Sequence, residues 1–318
     1  MNRRSFIRVG AMAGASLAMP FKDVVAAVVP RIPFHVFSKN FMFLTRDELC
    51  EIVAEIGMDG VEWCVRGQGH VEPTRVKTEM PLAVEAARKQ GLDATMICTR
   101  SKGDGTDTTN EGDIVETLKV CADCGVKTWR PGAFIHNEKL SLMDNLKAME
   151  KRFRRLEEIS RISGVKCTYQ NHFGCFGGGI YDMMGIVREI DPKWFGLQYD
   201  ILHAVFETPV SWERHLRDAA PFIVTGCLKD CNCLADQKRD MWQTFKTVPA
   251  PTGIIPFERY ARLLNTLGVC VPHSVHYEFP LPQDDRKVLA AELKRELDYF
   301  KRVMVFRQTN KENDSGKA

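Results

Sequence analysis

The chain has 318 residues, a formal net charge of +3 and 11 cysteines. Residues 1–27 hold four basic side chains and one acidic one, so the remainder is formally neutral. Nucleic-acid-binding proteins need a basic face that displaces counterions, and this even balance argues against DNA or RNA as a partner. The cysteine count is odd and most cysteines lie in apolar runs, which favours buried free thiols over disulfides or a structural zinc site.

The N-terminal segment has the pattern of an export signal. Arg3 and Arg4 precede a weakly apolar run of small residues, and residues 25–27 offer a small-residue cleavage site. This pattern predicts a twin-arginine signal over residues 1–27 and a periplasmic protein, or a membrane-anchored one if the segment is not cleaved. No other stretch reaches the roughly 18 to 20 apolar residues of a membrane span.

Residues 28–307 alternate short apolar runs with amphipathic patterns, which predicts one α/β domain. The eight predicted strands are Ile32–Ser38, Gly60–Cys64, Asp93–Cys98, Val126–Arg130, Val165–Gln170, Phe195–Asp200, Phe222–Lys229 and Pro272–Glu278. Eight repeats of this kind favour a (β/α)8 TIM barrel. A doubly wound open sheet is the alternative, but no glycine-rich dinucleotide fingerprint follows the first strand. Residues 308–318 are predicted to be a disordered polar tail.

Helices are predicted where apolar residues recur with helical spacing. They are Thr45–Ile56, Pro81–Gln90, Ile114–Cys124, Ser141–Ile162 and Asp284–Phe306. The segment Cys231–Ile255 is unusually long for a loop in a compact domain, and it carries Trp242. Such loops tend to be lids or binding elements.

Four strands in the second half of the chain end in clusters of polar side chains. The clusters are Tyr169–His172, Gln198–Asp200 with His203, Lys229–Asp230, and His276–Glu278. The carboxyl ends of all strands in a (β/α)8 barrel meet at one face, where active sites are built. The sequence therefore predicts an enzyme whose site lies at that face.

These strand ends, together with residues 58–62 and 69–73, resemble the xylose isomerase-like TIM barrels known as sugar phosphate isomerases/epimerases. The resemblance covers nearly the whole chain after the signal. It is nearest to an exported branch that bears twin-arginine signals. It implies a barrel that acts on a sugar or sugar derivative.

The resemblance also implies a divalent metal site made by Glu, Asp, His and Glu side chains. The Asp position falls on Asp200 and the final Glu on Glu278, but the first Glu falls on Gln170 and the His on Cys227. Two of the four ligands are therefore replaced. One hypothesis keeps a divalent ion (Mn, Mg or Zn) on Gln170, Asp200 and Glu278.

The other hypothesis is that the metal has been lost and that Lys229 supplies the positive charge. Either cation would stabilise an enediolate oxygen. The catalytic candidates are His172, His203, Lys229 and Glu278, and the substrate-binding candidates are Glu62, His70, Arg130, Asn171, Trp242 and His276. Each also has a structural interpretation, because strand-end histidines and charged groups often serve only in hydrogen bonds or rim salt bridges.

The leading functional hypothesis is proton abstraction beside a carbonyl of a sugar, as in an isomerase or epimerase. A lyase or hydratase acting on keto-sugars or 3-keto-glycosides is the alternative, because symmetric epimerisation would need an acidic side chain in place of Gln170. A non-catalytic sugar-binding module is a further alternative. DNA repair of the endonuclease IV type would need more metal ligands and a basic surface. A homo-oligomer is compatible with the sequence, which leaves the oligomeric state undetermined.

Overall fold

The computed structural model describes residues 31–101, 113–236 and 241–306, with the side chains of residues 235, 236 and 241–244 excepted. The predicted export signal and the predicted polar tail lie outside this part of the chain. Within it, no helix is both long and apolar enough to cross a membrane.

Eight parallel strands of the described chain close into a barrel in the order β1-β10-β7-β6-β5-β4-β3-β2. They are β1 (Phe34–Phe37), β2 (Gly60–Val65), β3 (Asp93–Thr99), β4 (Thr128–Arg130), β5 (Lys166–Gln170), β6 (Phe195–Asp200), β7 (Ile223–Leu228) and β10 (His273–Val275). All eight predicted strands are present, with ends shifted by up to three residues. The (β/α)8 fold is confirmed.

Helices surround the barrel between its strands. They are α1 (Arg46–Glu55), α2 (Val76–Lys89), α3 (Ile114–Asp123), α4 (Leu142–Ser163), α5 (Tyr181–Val187), α6 (Ile201–Glu207), α7 (Trp212–Ala219), α8 (Phe257–Leu267) and α9 (Arg286–Val303). The sequence did not predict α5 to α8, which have only 7 to 11 residues and therefore weak periodicity. The prediction that the second helix starts at Pro81 was wrong, because this proline lies inside α2.

Local sequence signals fix several helix ends. At α1, Thr45 accepts a hydrogen bond from the Glu48 backbone N–H and the Glu48 side chain accepts one from the Thr45 backbone N–H, which forms a capping box. Ser141 caps the start of α4, and Gly164 ends it with φ of 79°, a left-handed conformation that favours glycine. These signals explain why α1 and α4 were predicted within one residue of their observed bounds.

The segment after β7 differs from its predicted form. Instead of one long loop, β8 (Asp230–Asp236) and β9 (Met241–Val248) form an antiparallel hairpin. Asp230 fixes the segment that follows β9, because its carboxylate accepts hydrogen bonds from the backbone N–H groups of Gly253 (2.8 Å) and Ile255 (3.1 Å). A Cβ at Gly253 would lie 2.3 Å from that carboxylate, so the contact requires glycine.

The main core lies between the strands and the helices, whereas the barrel interior is largely polar. On β6, Leu197 and Tyr199 belong to the apolar core, and the Tyr199 ring stacks on Tyr260 of α8 with centroids 5.8 Å apart. The alternate residues, Gln198 and Asp200, lie on the opposite face of the strand. All eleven cysteines are free thiols and most are buried, as the sequence predicted. The fold thus directs alternate polar strand residues towards the barrel axis.

One buried acid on α9 generates a prediction about stability. Burial raises the pKa of Glu296 to about 8 from 4.5. Its carboxyl is therefore protonated in the folded protein over a pH range in which the unfolded chain has released the proton. The contribution of Glu296 to the free energy of unfolding is complete below pH 4.5 and is lost as pH rises through about 8. The loss is up to about 1.4 kcal/mol per pH unit.

The variant Glu296→Gln cannot titrate and should escape this loss. Its free energy of unfolding, measured by urea denaturation, should exceed that of the wild type at about pH 9 and approach it at about pH 5. Asp298→Asn, which removes an exposed acid from the same helix, is the control. Equal pH slopes for the wild type and Glu296→Gln would contradict the prediction.

Candidate functional site

A cavity of about 400 Å³ opens at the carboxyl end of the barrel. Six of the sequence-predicted site residues line it: Arg130, Gln170, His172, Lys229, His276 and Glu278. Asp200, His203 and Glu62 are buried behind them and contact them directly. The structure thus brings together nine of the twelve candidates named from the sequence.

A continuous chain of charged and amide groups crosses the floor of the cavity. The Arg130 guanidinium donates to Glu62 Oε1 at 3.1 Å and to Gln170 Oε1 at 2.7 Å. Gln170 in turn donates from Nε2 to Asp200 Oδ2 at 2.7 Å, and Asp200 Oδ2 lies 3.1 Å from Lys229 Nζ. Because the amide accepts from one side and donates to the other, its orientation is fixed by its two charged neighbours.

Lys229 holds a buried positive charge at the centre of this arrangement. Its Nζ lies 2.9 Å from His203 Nε2, 3.1 Å from Asp200 Oδ2 and 3.5 Å from Glu278 Oε2. Burial alone would lower the pKa of Lys229, but the carboxylates of Asp200 and Glu278 outweigh it and raise the pKa above its usual value. The lysine is therefore an ammonium at neutral pH.

The backbone of Asp200 is held by the side chain of Asn171. Asn171 Oδ1 accepts from the Asp200 backbone N–H at 2.7 Å, and Asn171 Nδ2 donates to the Asp200 carbonyl at 3.0 Å. Burial would raise the pKa of Asp200, but the Lys229 ammonium keeps it below its usual value. Asn171 was predicted to bind substrate; in the structure its amide joins the ends of β5 and β6.

Two histidine rings stack beside the lysine. The centroids of His172 and His203 are 4.2 Å apart. His203 accepts from Lys229 through Nε2, and burial lowers its pKa far below the usual value. His172 Nδ1 lies 3.0 Å from the Phe173 carbonyl oxygen and must be the donor of that bond, which leaves Nε2 unprotonated. Burial and the Lys229 charge lower the pKa of His172, so its imidazole is neutral and basic.

The far side of Lys229 is formed by His276 and Glu278. His276 Nδ1 lies 3.7 Å from Glu278 Oε1, and the imidazole stacks on Phe37 with centroids 4.4 Å apart. Burial would raise the pKa of Glu278, but Lys229 and His276 hold it well below the usual range. Glu278 is therefore a carboxylate that flanks the ammonium on the side away from His172.

The buried Glu62 carboxylate contacts both Arg130 and His276. Its Oε2 accepts from the Ser274 hydroxyl and lies 3.5 Å from His276 Nε2. Burial would raise the pKa of Glu62, but Arg130 and His276 outweigh it and lower the pKa. Although Glu62 was predicted to bind substrate, its carboxylate is buried among these three side chains.

The two remaining candidates are His70 and Trp242. His70 is not among the residues that line the cavity: its ring is buried against Trp63 with centroids 5.5 Å apart, and its Nε2 lies 3.3 Å from the Leu44 carbonyl oxygen. Trp242 belongs to β9, but its side chain lies outside the described residues.

The hairpin contributes contacts that the sequence did not predict. The Phe245 ring on β9 packs against His203 with centroids 6.0 Å apart, and it also contacts Phe173 and Phe206. The Thr247 hydroxyl donates to the Glu278 carbonyl at 2.6 Å. Helical or strand periodicity cannot reveal such contacts, because they join distant segments. The hairpin is therefore fixed to both sides of the lysine.

The three residues predicted to bind a metal do not fit a divalent ion in this arrangement. Gln170 uses its amide oxygen for Arg130, and the Lys229 ammonium lies between Asp200 and Glu278, where a second cation would meet like charge. Cys227, which the sequence resemblance placed at a histidine position of the metal site, is a buried thiol whose pKa is raised by burial. In the described parts of the chain, no group of three or more His, Cys, Asp or Glu side chains could hold a metal ion.

Comparison with known proteins agrees with the barrel fold. The profile of the xylose isomerase-like TIM barrel family matches residues 50–302. The chain belongs to this family. No curated protein matches the sequence.

Solved structures share the fold at low sequence identity. D-psicose 3-epimerase from Clostridium cellulolyticum H10 superposes with a TM-score of 0.63 at 12% identity, over 86% of this chain and 100% of that one. The 3-keto-D-glucoside 4-epimerase of E. coli gives 0.62 at 16%, over 84% and 100%. A probable 3-DHS dehydratase from Bacillus anthracis gives 0.61 at 14%, over 84% and 99%. At these identities the likeness demonstrates the fold alone.

The position of Lys229 predicts how the site responds to metals. Protein purified without chelator should contain less than about a tenth of an equivalent of manganese or zinc, and added Mn²⁺ should not change its melting temperature. In Lys229→Ala the carboxylates of Asp200 and Glu278 lose their cation, so Mn²⁺ should bind and raise the melting temperature of the variant.

Lys193→Ala, which removes an exposed lysine, is the matched control and should behave as the wild type. Elemental analysis and thermal denaturation measure the two effects. Close to one equivalent of metal in the wild type would contradict the prediction.

Proposed function

We propose that the protein abstracts a proton beside the carbonyl of a keto-sugar or keto-glycoside and stabilises the resulting enediolate with the Lys229 ammonium. The observation that carries this proposal is the position of Lys229, a buried cation at the cavity wall with an acid/base group on either side. Membership of a family that includes sugar isomerases supports the substrate class. Enediolate chemistry needs both a positioned base and a fixed positive charge.

His172 is the proposed base. It lines the cavity, and the bond from its Nδ1 to the Phe173 carbonyl presents Nε2 as the basic nitrogen. The ring is held by stacking on His203. Because its pKa is lowered by burial and by Lys229, His172 is ready to accept a proton at neutral pH. General bases of this kind contribute about 100-fold or more to rate.

Lys229 is the proposed electrophile. Of its three contacts the one to Glu278 is the longest, at 3.5 Å, and a substrate oxygen can take that place. The contacts to Asp200 and His203 keep the ammonium fixed while charge develops on that oxygen. A cation held in advance in a site with little water stabilises developing negative charge without having to reorganise.

Whether the enediolate is reprotonated or undergoes elimination depends on the acid/base group that acts after His172. His276 lines the cavity beside Glu278, on the side of Lys229 opposite His172, so an imidazolium there can return a proton from the other side, as isomerisation or epimerisation requires. The second candidate is elimination by a lyase or hydratase. It is favoured by the neutral amide of Gln170, which cannot act as the second carboxylate of a symmetric epimerase.

The place of action is a separate proposal. We propose that the twin-arginine pattern at Arg3 and Arg4 exports the protein, which then acts on sugars outside the cytoplasm.

Deuterium exchange tests the chemistry whatever the final product is. Incubation with D-fructose and with a 3-keto-glucoside in deuterated water should place deuterium at the carbon beside the carbonyl, as read by NMR. His172→Gln and Lys229→Met should each lower the exchange rate by about 100-fold or more. His215→Gln and Lys193→Met, which lie away from the cavity, should retain it.

Circular dichroism of each variant separates loss of chemistry from loss of folding. His172 is only partly buried, so its variant tests the proposal even if Lys229→Met does not fold. Full exchange in folded His172→Gln and Lys229→Met would refute the assigned roles. Sugar binding with no turnover of any kind would instead support a sugar-binding module.

A further inference from the structure

Three phenylalanine rings meet beside the two histidines of the site. Phe173 follows β5, Phe206 lies in α6 and Phe245 lies in β9. Their centroids are 4.7 to 5.6 Å apart and their planes cross at 73 to 86°, so each pair meets edge to face. The charge distribution of aromatic rings favours this arrangement. These three rings, the aromatic cluster, join the hairpin to the segments that follow β5 and β6.

The aromatic cluster constrains His172 in two ways. Phe245 packs against the His203 ring with centroids 6.0 Å apart, and His203 stacks on His172. Phe173 supplies the backbone carbonyl that accepts the hydrogen bond from His172 Nδ1. The stacking partner and the hydrogen-bond acceptor of the proposed base are therefore both held by contacts with Phe245.

Phe245 is itself fixed by the hairpin. It is two residues from Thr247 on β9, so the two side chains lie on one face of the strand. The Thr247 hydroxyl donates to the Glu278 carbonyl at 2.6 Å. The backbone of Phe245 pairs with Cys233 of β8. One face of β9 therefore contacts the site on the histidine side and on the Glu278 side.

Phe245 has no direct access to a substrate. Within the part of the chain that the structure describes, none of the three phenylalanines is among the residues that line the cavity. Any effect of Phe245 on the reaction must therefore pass through the residues that it contacts, His203 and Phe173.

We propose that Phe245 is a positioning residue for the proposed base, because its ring holds His203 and Phe173 so that His172 keeps one place and one tautomer at the cavity wall. This inference rests on the proposed function and extends it to the hairpin. A base contributes to rate only while it stays within reach of the proton that it accepts, and small displacements lower the rate steeply. Without the Phe245 ring both constraints on His172 relax.

The tautomer of His172 tests the proposal without any substrate. Long-range proton–nitrogen NMR correlation spectra distinguish imidazoles protonated on Nδ1 from those protonated on Nε2, and the signal that is missing from His172→Gln identifies this ring. The wild type should show the Nδ1–H form, and Phe245→Ala should show a mixture of both forms. Phe245→Leu, which keeps most of the apolar volume, should restore the wild-type form.

Deuterium exchange with D-fructose and with a 3-keto-glucoside tests the effect on rate. Phe245→Ala should lower kcat by about tenfold or more and leave KM within about twofold, because the cavity lining is unchanged. In the His172→Gln background the same substitution should cause no further loss, since both residues act through one ring. Phe222→Ala, which removes a partly buried phenylalanine that precedes β7, is the matched control and should change neither constant.

A single His172 tautomer in folded Phe245→Ala would overturn the proposal. So would a loss confined to KM, or an equal loss of kcat in the His172→Gln background. Circular dichroism establishes folding, and Phe245→Val, which removes less volume, should show the same changes if Phe245→Ala does not fold. Absence of exchange in the wild type would reject the proposed reaction, and the tautomer measurement would still decide whether Phe245 positions His172.

Discussion

The buried ammonium of Lys229 is the charge around which the rest of the mouth is organised. A cation without partners at this depth would lose its proton, so the lysine needs the carboxylates of Asp200 and Glu278 beside it. The same cation lowers the pKa values of both acids. It also forces His203 to act as a neutral acceptor, because Nε2 receives the ammonium proton. The ends of three strands, β6, β7 and β10, are thus tied to one another through a single charge.

Gln170 extends this arrangement to the other half of the barrel. Its amide accepts a hydrogen bond from Arg130 and donates one to Asp200, so it links these two side chains without adding charge. A carboxylate at this position would face Asp200 at close range and would require another cation between them. Glutamine at the position where the sequence resemblance implied a glutamate is therefore physically consistent with the presence of Lys229. Together they describe a site in which an ammonium occupies the place that the family resemblance gave to a metal.

The hairpin after β7 is fixed to this centre. Phe245 and Thr247 connect the hairpin to His203 and to the Glu278 backbone, so displacement of the hairpin would disturb both sides of Lys229.

The sequence by itself determined the barrel, because few other folds accommodate eight apolar runs that alternate with helical patterns. It also located Lys229, His172 and Glu278 at strand ends. The sequence could not show where the His70 side chain lies. Its local motif suggested a substrate-binding residue, whereas in the structure its ring is buried against Trp63. Nor could the sequence show that the hairpin packs against His203 and bonds to the Glu278 carbonyl, since those contacts join distant segments. Hydrogen-bond partners such as those of Gln170 are set by tertiary distances of a few ångströms, and strand periodicity carries no information about them.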